Sequence, residues 1–330
     1  MKLARISFIA ALLLASADIS HAATPAKSAP LKVMPLVPIT VSNLTGAAGD
    51  QVSALALTPS AIAIAGTVES SSATNGWVAS KSLGGTDGFI AALDTSGNHL
   101  WDIRLGSAQD EIATAMALDK QGNYWVVGSA QGAATPTPTP SATPTPNAAP
   151  TINPDGVKVN PVTPPAPGLT RLILWDISSA GQLLNTYTYD AAGVIFPQSI
   201  AITATGASIS GRLISSNNLQ GFTITFDGAK FSTPTLFSQR VTSIAFNRSF
   251  VITHGFIKSY IALGAIPGIP SWKSKAAVPV IIQYSKTKTI VAANYLHGTV
   301  VDMQYQRNIG VVAITEQAGG YGLYVLTPRP

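Results

Sequence analysis

The chain of 330 residues contains no cysteine. Disulfides, thiolate metal sites, thiol nucleophiles and a lipid-modified N-terminal cysteine are therefore excluded. A secreted domain of this size needs no disulfides if its core is large. Charged residues are also scarce, at 11% of the chain, which is about half of the usual share. This composition disfavours a charge-rich cytosolic protein and favours strands that carry small polar residues on their surface.

The chain also lacks the motifs that usually announce a reaction or a polyanionic partner. Its net charge of +5 comes from scattered Lys and Arg with no dense basic cluster, so we expect no nucleic-acid partner. The histidines at 21, 99, 254 and 297 have no metal-binding spacing. Neither a Gly-x-Ser-x-Gly elbow nor a glycine-rich phosphate loop occurs. We expect no metal and no cofactor.

Long apolar runs are absent as well, except for a short one at the N-terminus. Lys2 and Arg5 precede the apolar residues 6–14, a run shorter than the roughly 20 residues of a membrane span. Small residues at Ser20 and Ala22 favour cleavage after Ala22. We predict a signal peptide at 1–22, a flexible segment at 23–35 and secretion to the periplasm, cell envelope or exterior. An uncleaved anchor helix is the alternative.

A repeated phrase predicts the fold. It consists of an apolar run, a polar turn, a second apolar run and usually a closing glycine. Its copies span residues 53–66, 115–128, 199–211, 243–255 and 300–313. A repeat that cannot bury its own apolar faces must stack on its neighbours, so the phrase indicates a repeat architecture.

A second hairpin follows each of the first four copies and raises each unit to four strands. These hairpins span residues 88–105, 172–189, 222–237 and 278–295. After the fifth copy only residues 321–327 remain, whereas a spare strand lies at residues 36–42. We predict an all-β fold, a β-propeller of five four-stranded blades closed by the N-terminal strand, with residues 36–330 as one domain.

A Thr/Pro-rich tract at residues 134–168 interrupts the second unit. A Thr/Pro-rich composition favours an extended backbone with few hydrogen bonds, so we predict a disordered surface loop. It is either a glycosylated or partner-docking spacer or a tolerated insertion.

One part of the chain carries a family resemblance. Its motifs are Gly85-Thr-Asp-Gly-Phe89, Leu93-Asp-Thr-Ser-Gly-Asn98, Trp101, Leu105-Gly106 and Asp119-Lys-Gln-Gly-Asn123. Over residues 85–130 the chain resembles the bacterial seven-bladed β-propeller (SBBP-type) repeat family. The resemblance implies a secreted propeller and brings no catalytic residues. The chain departs from the family in blade number, because five repeats fit and seven do not.

Loops between the second and third strands vary most in length, so we predict that the face bearing them carries the function. The long loops contain aromatic and basic residues suited to stacking on sugars or docking on a partner. The predicted binding residues are Trp77, Lys81, Tyr260, Trp272, Lys273 and Lys275. The alternative is that both tryptophans cover their own loops. In contrast, we expect Trp101, Trp125 and Trp175 to be packing residues within strands.

Candidate acids are few. The first strands offer only Asp302, and one carboxylate cannot supply the pair that a glycoside hydrolase needs. Asp94 and Asp119 each open a turn ending in Gly-Asn, where we expect them to accept backbone hydrogen bonds and not to bind calcium.

The sequence therefore favours a secreted, monomeric, non-enzymatic binding module, whose partner is an unknown glycan or an envelope or extracellular protein. Two alternatives stay open. One is a carbohydrate-active enzyme, which carboxylates gathered in the central funnel would favour. The other is a structural spacer.

Overall fold

The computed structural model describes residues 37–39, 50–69, 77–132, 168–215, 218–238, 253–254, 257–262 and 278–326. Within these ranges the regular secondary structure consists of β-strands alone, which confirms the all-β prediction. Among the same residues, none forms a helix that is long and apolar enough to span a membrane. The predicted signal peptide and almost all of the Thr/Pro tract lie outside the described residues.

The strands form antiparallel four-stranded sheets in the arrangement of a β-propeller, and five such sheets are present in the described residues. We number the sheets along the chain. Strand β1 (Val37–Ile39) belongs to sheet 5, and sheets 1 to 4 take their strands in chain order. Sheet 1 contains β2 (Gln51–Leu57), β3 (Ala61–Val68), β4 (Asp87–Asp94) and β5 (His99–Leu105); sheet 2 contains β6 (Glu111–Leu118), β7 (Tyr124–Ala130), β8 (Arg171–Ile177) and β9 (Leu183–Asp190).

The remaining sheets follow the same plan. Sheet 3 contains β10 (Val194–Ile202), β11 (Ala207–Ser215), β12 (Asn218–Phe226) and β13 (Thr235–Ser238); sheet 4 contains β14 (Thr253–His254), β15 (Ile257–Ala262), β16 (Val278–Tyr284) and β17 (Ile290–Tyr295). Sheet 5 contains β18 (Thr299–Gln306), β19 (Gly310–Gln317), β20 (Gly320–Leu326) and, outermost, β1. The N-terminal strand thus pairs with the last strand of the chain as predicted, with Pro38 opposite Tyr324.

Apolar clusters fill the borders between neighbouring sheets. One cluster joins sheets 5 and 1, a second joins sheets 1 and 2, a third joins sheets 2 and 3, and a fourth joins sheets 4 and 5. Trp175 is buried in the second cluster, Trp101 packs against it, and Trp125 packs against the third. The predicted packing role of these three tryptophans is confirmed.

A β-bulge recurs in the first strand of four sheets and explains the closing glycine of the repeat. The pairing shifts at one residue in each strand, namely Ser53, Thr114, Gln198 and Val301. In sheets 1 to 3 a glycine of the second strand pairs beside the bulge. A Cβ on Gly66 would lie 1.9 Å from the Gln51 carbonyl oxygen, and one on Gly128 would lie 1.8 Å from that of Ile112. Only glycine fits such an approach.

Two details of the predicted repeat are wrong. In sheet 5 the residue beside the bulge is Thr315, so the phrase does not end at Ala313. Thr315 is fully buried, and its hydroxyl accepts a hydrogen bond from Gln317. In sheet 4 the second strand is β15, and Gly255 separates the first two strands because β14 pairs with β15. The residues before Gly255, Thr253 and His254, therefore belong to the first strand of sheet 4, whereas the repeat predicts them in the second strand.

Candidate functional site

A cavity of about 540 Å³ opens where the first strands of sheets 5, 1, 2 and 3 begin. Its wall includes Ser53 of β2, Thr114 of β6, Phe196 of β10 and Val301 of β18. We call it the central cavity. Glu69 and Glu316, which also line it, stand at the ends of second strands. The cavity therefore lies on the face that carries the connections between second and third strands, where the sequence predicted the function.

Three carboxylates line the central cavity: Asp50, Glu69 and Glu316. Asp50 is buried, and its Oδ1 accepts a hydrogen bond of 2.8 Å from the Glu69 backbone N–H. The Glu69 side chain is half-buried, and that of Glu316 is exposed. Asp50 is thus fixed by the backbone, whereas Glu316 can turn toward a ligand.

Tyr321 stands between these acids on the cavity wall. Burial raises the pKa of its phenol, and the charges of Glu316 and Asp50 raise this pKa further, against a hydrogen bond with the Val52 backbone that lowers it. The phenol therefore stays neutral and offers a polar group beside two carboxylates. Behind it, the indole of Trp77 packs at a ring-centroid distance of 6.4 Å and supports the wall.

Hydroxyl groups complete the lining. Thr67, Thr86, Thr114, Thr299 and Ser53 all contribute to the wall. Ser53 and Thr114 are engaged at the bulges, with the Ser53 hydroxyl 2.6 Å from the Ala113 carbonyl oxygen. Thr67 is 8% exposed. In the described part of the chain its hydroxyl has no hydrogen-bond partner, so it is available to a molecule in the cavity.

The predicted binding residues do not form one exposed cluster. Trp77 is 1% exposed and belongs to the cluster between sheets 5 and 1, so the prediction that it is exposed is wrong. The indole lies in the core because the burial of its large apolar surface is favourable. Lys81 is exposed as predicted. Tyr260 lies within β15 opposite Val280 and not in a loop, which corrects its predicted position. Trp272, Lys273 and Lys275 lie outside the described residues.

Asp302, the one acid that the sequence placed in the funnel, has a structural role. Its Oδ2 accepts a hydrogen bond of 2.9 Å from the Leu55 N–H of sheet 1, and its Oδ1 accepts one of 2.7 Å from the Met303 N–H. Gln304 donates to the Leu55 carbonyl oxygen from the same strand. Both polar groups of Leu55 are thus bound by side chains of β18. Asp302 joins sheet 5 to sheet 1 and does not line the cavity.

The turn acids accept the predicted backbone hydrogen bonds. Asp94 accepts hydrogen bonds from the backbone of Ser96 and Asn98 and from the Asn98 side chain. The side-chain bond from Asn98 is the main reason that the pKa of Asp94 lies below its ordinary value. Asp119 accepts from the backbone N–H groups of Gln121 and Asn123 in the same way.

Asp176 has the opposite environment. It is 7% exposed, and its Oδ1 has no hydrogen-bond partner among the described residues. Burial raises its pKa, and the charge of Asp119 adds to the increase, against a hydrogen bond from Asn185 that lowers it. Ionised Asp176 therefore destabilises the folded chain at neutral pH, and this penalty disappears as the pH falls below the unfolded-state value.

We expect Asp176→Asn to raise the free energy of unfolding by about 1 kcal/mol at pH 7, because it removes the unpaired charge. The gain should shrink as the pH is lowered toward 4. Urea denaturation across this pH range measures it. Asp94→Asn is the control of opposite sign, since a lowered pKa stabilises the fold at neutral pH and this contribution is lost in acid. A stabilisation by Asp176→Asn that does not change with pH would contradict the explanation.

The sequence analysis missed Asp50, Glu69 and Glu316. These residues lie at or beyond the ends of the repeated apolar runs, where a search confined to the phrases does not reach. One signal was present, because connections between second and third strands had already been selected as the functional face. Glu69 is the first residue of the connection that follows β3, and Glu316 lies near the end of β19, just before the turn to β20.

Comparisons with known proteins give limited likeness. The sequence matches no protein-family model and no curated protein. Among solved structures, Trypanosoma rangeli sialidase in complex with sialic acid has 7% identity and a TM-score of 0.33, over 85% of this chain and 45% of the sialidase. Cobalt-substituted apocarotenoid oxygenase from Synechocystis has 10% identity and a TM-score of 0.28, over 84% of this chain and 60% of the oxygenase. This chain thus spans less than two thirds of either protein, and at these TM-scores neither likeness carries an argument about function.

Proposed function

We propose that the protein is a secreted, non-enzymatic binding module of the bacterial envelope or exterior, and that its central cavity takes a glycan. The observation that carries the proposal is the cavity itself. Its volume of about 540 Å³ lies within the roughly 300–1,000 Å³ of small-ligand sites. Hydroxyls, carboxylates and the phenol of Tyr321 offer both donors and acceptors to a polyhydroxylated ligand.

The proposal includes a ring of five blades closed through sheet 5. The pairing of β1 with β20 and the apolar borders that connect sheets 4, 5, 1, 2 and 3 in succession support it. In such a ring the central cavity lies at the end of the central channel, on the face from which the long connections of sheets 1, 2 and 4 start. These connections span residues 69–86, 131–170 and 263–277.

A glycan array with the secreted chain tests the proposal, followed by calorimetric titration of the best ligand. Thr67→Val/Thr299→Val removes two cavity hydroxyls while retaining their shape, and we expect about a tenfold loss of affinity from two hydrogen bonds. Thr186→Val/Thr188→Val, on the exposed outer strand of sheet 2, is the matched control and should bind normally. Equal affinity of the two double variants would contradict binding in the central cavity.

A carbohydrate-active enzyme is the second candidate, and the three cavity carboxylates favour it. Glycosidases use a pair of carboxyl groups about 5–10 Å apart. Incubating the chain with chromogenic glycosides tests this candidate. Hydrolysis that is lost in Glu316→Gln would support it, whereas binding without turnover would favour the non-enzymatic module.

A further inference from the structure

The central cavity has a charge that differs in sign from that of the chain. The chain has a net charge of +5, yet Asp50, Glu69 and Glu316 line the cavity. Among the described lining residues there is no Lys or Arg. Among these described residues an acidic ligand would meet three like charges and no positively charged side chain. The charge of these described lining residues favours a ligand with positive charge.

A second observation concerns the hydroxyl group of Thr67 on the same wall. Thr67 is 8% exposed and lines the cavity, and its hydroxyl is unpaired among the described residues. A buried polar group usually has a partner. Its neighbour across the cavity edge, Asp50, already uses one oxygen on the Glu69 N–H. The cavity thus presents a hydroxyl that a bound molecule can satisfy beside fixed negative charge.

The carboxylates and the hydroxyls of the cavity would bind different parts of one ligand. Ionised carboxylates only accept hydrogen bonds and attract a cation, whereas hydroxyls both donate and accept. An ammonium group satisfies the first requirement, and neighbouring sugar hydroxyls satisfy the second. The exposed Glu316 carboxylate can move to an ammonium, and Asp50 is held in place by its backbone bond.

We propose, on the basis of the proposed binding function, that the ligand of the central cavity is an amino sugar with a free ammonium group. Glu316 then supplies its charge partner beside the fixed negative charge of Asp50, and Thr67 binds a sugar hydroxyl. Neutral N-acetylated sugars lack the charge, and acidic sugars have the wrong sign.

A matched pair of ligands tests the charge. A tetramer of glucosamine and its fully N-acetylated counterpart have the same backbone and differ in their ammonium groups. In calorimetric titrations of the full secreted chain at low salt, we expect the glucosamine tetramer to bind at least tenfold more tightly. The difference should shrink in 0.5 M NaCl, because salt screens an exposed ion pair. Equal binding of both tetramers would overturn the charge assignment and leave the glycan-binding function standing.

Variants and a competitor separate the remaining outcomes. Glu316→Gln should weaken the glucosamine tetramer about fivefold and leave its acetylated counterpart unchanged. Asp190→Asn removes one charge from the exposed pair with Arg171, outside the cavity lining, and should change neither. If spermine competes as strongly as the glucosamine tetramer, the cavity reads charge alone and the amino-sugar assignment is wrong. If neither tetramer binds, the inference is overturned for these sugars, and the glycan array decides separately whether the proposed function survives.

Discussion

Gly128→Ala is expected to lower the free energy of unfolding by more than about 3 kcal/mol. The added Cβ would lie 1.8 Å from the Ile112 carbonyl oxygen and 3.1 Å from the Ala113 Cα. Both contacts are with backbone at the bulge of β6, so no side-chain rotation relieves them. The first strand must move away from the second, and this disturbs the border with sheet 1 as well. Urea denaturation of the purified chain measures the loss.

Gly122→Ala provides the control within the same sheet. Gly122 has a φ of +85°, and an added Cβ would meet no atom within 4 Å. The cost is then the backbone strain alone, about 1–2 kcal/mol. If the two variants lost the same stability, the close approach at the bulge would not be the reason for the glycine.

Asp302→Ala is expected to cost about 3 kcal/mol of unfolding free energy. The change leaves the N–H groups of Leu55 and Met303 without their carboxylate acceptor, and a buried unpaired group costs roughly 1–3 kcal/mol. Because Leu55 belongs to β2 and Asp302 to β18, the loss falls on the border between sheets 5 and 1. The measurement is again the denaturant midpoint, with limited proteolysis to show whether this border opens first.

Asp190→Ala is the control for the loss of a carboxylate. Asp190 pairs with Arg171 at 2.7 Å, but its side chain is 74% exposed, so the pair contributes little. We expect a change within about 0.5 kcal/mol. Asp302→Asn retains one acceptor oxygen and should recover part of the stability. A loss from Asp302→Ala no larger than that from Asp190→Ala would show that the contact does not join the two sheets.

The repeated phrase and the hairpins between its copies predicted the four-stranded sheets, because apolar runs report burial. The pairing of β1 was predictable because the fifth unit lacks one strand and a spare strand lies near the N-terminus. The repeated phrase did not predict every detail. It failed at residues where tertiary geometry decides. Thr315 occupies the position beside the bulge that Gly66 and Gly128 occupy in sheets 1 and 2. Because Thr315 is not a glycine, the sequence pattern around it does not reveal that the repeat extends to this position. The prediction for sheet 4 failed for a similar reason, because β14 pairs with β15 and is therefore the first strand of that sheet, whereas the repeat predicts its residues in the second strand.

The site was predicted less well than the fold. Loop lengths predict function on the face where the cavity opens, but the residues predicted from the sequence are aromatic and basic residues of the loops. A tryptophan in a long loop is a reasonable candidate for stacking on a sugar, but Trp77 is buried and packs against Tyr321 in the core. Conversely, Asp50 and Glu69 flank the first hairpin of sheet 1, whereas Glu316 lies far from both in the chain. Their approach to one cavity depends on the border between sheets 5 and 1, which a local reading of the chain does not contain.

The contact of Asp302 with Leu55 places a buried carboxylate at the border between sheets 5 and 1. Asp50 and Glu69 come from sheet 1 and Glu316 from sheet 5, so the charge of the cavity is concentrated on that side. We therefore expect the proposed ligand to bind in one orientation, although the fold is built from repeated units. We expect a stoichiometry of one guest per chain, with its positive end directed toward the border of sheets 5 and 1.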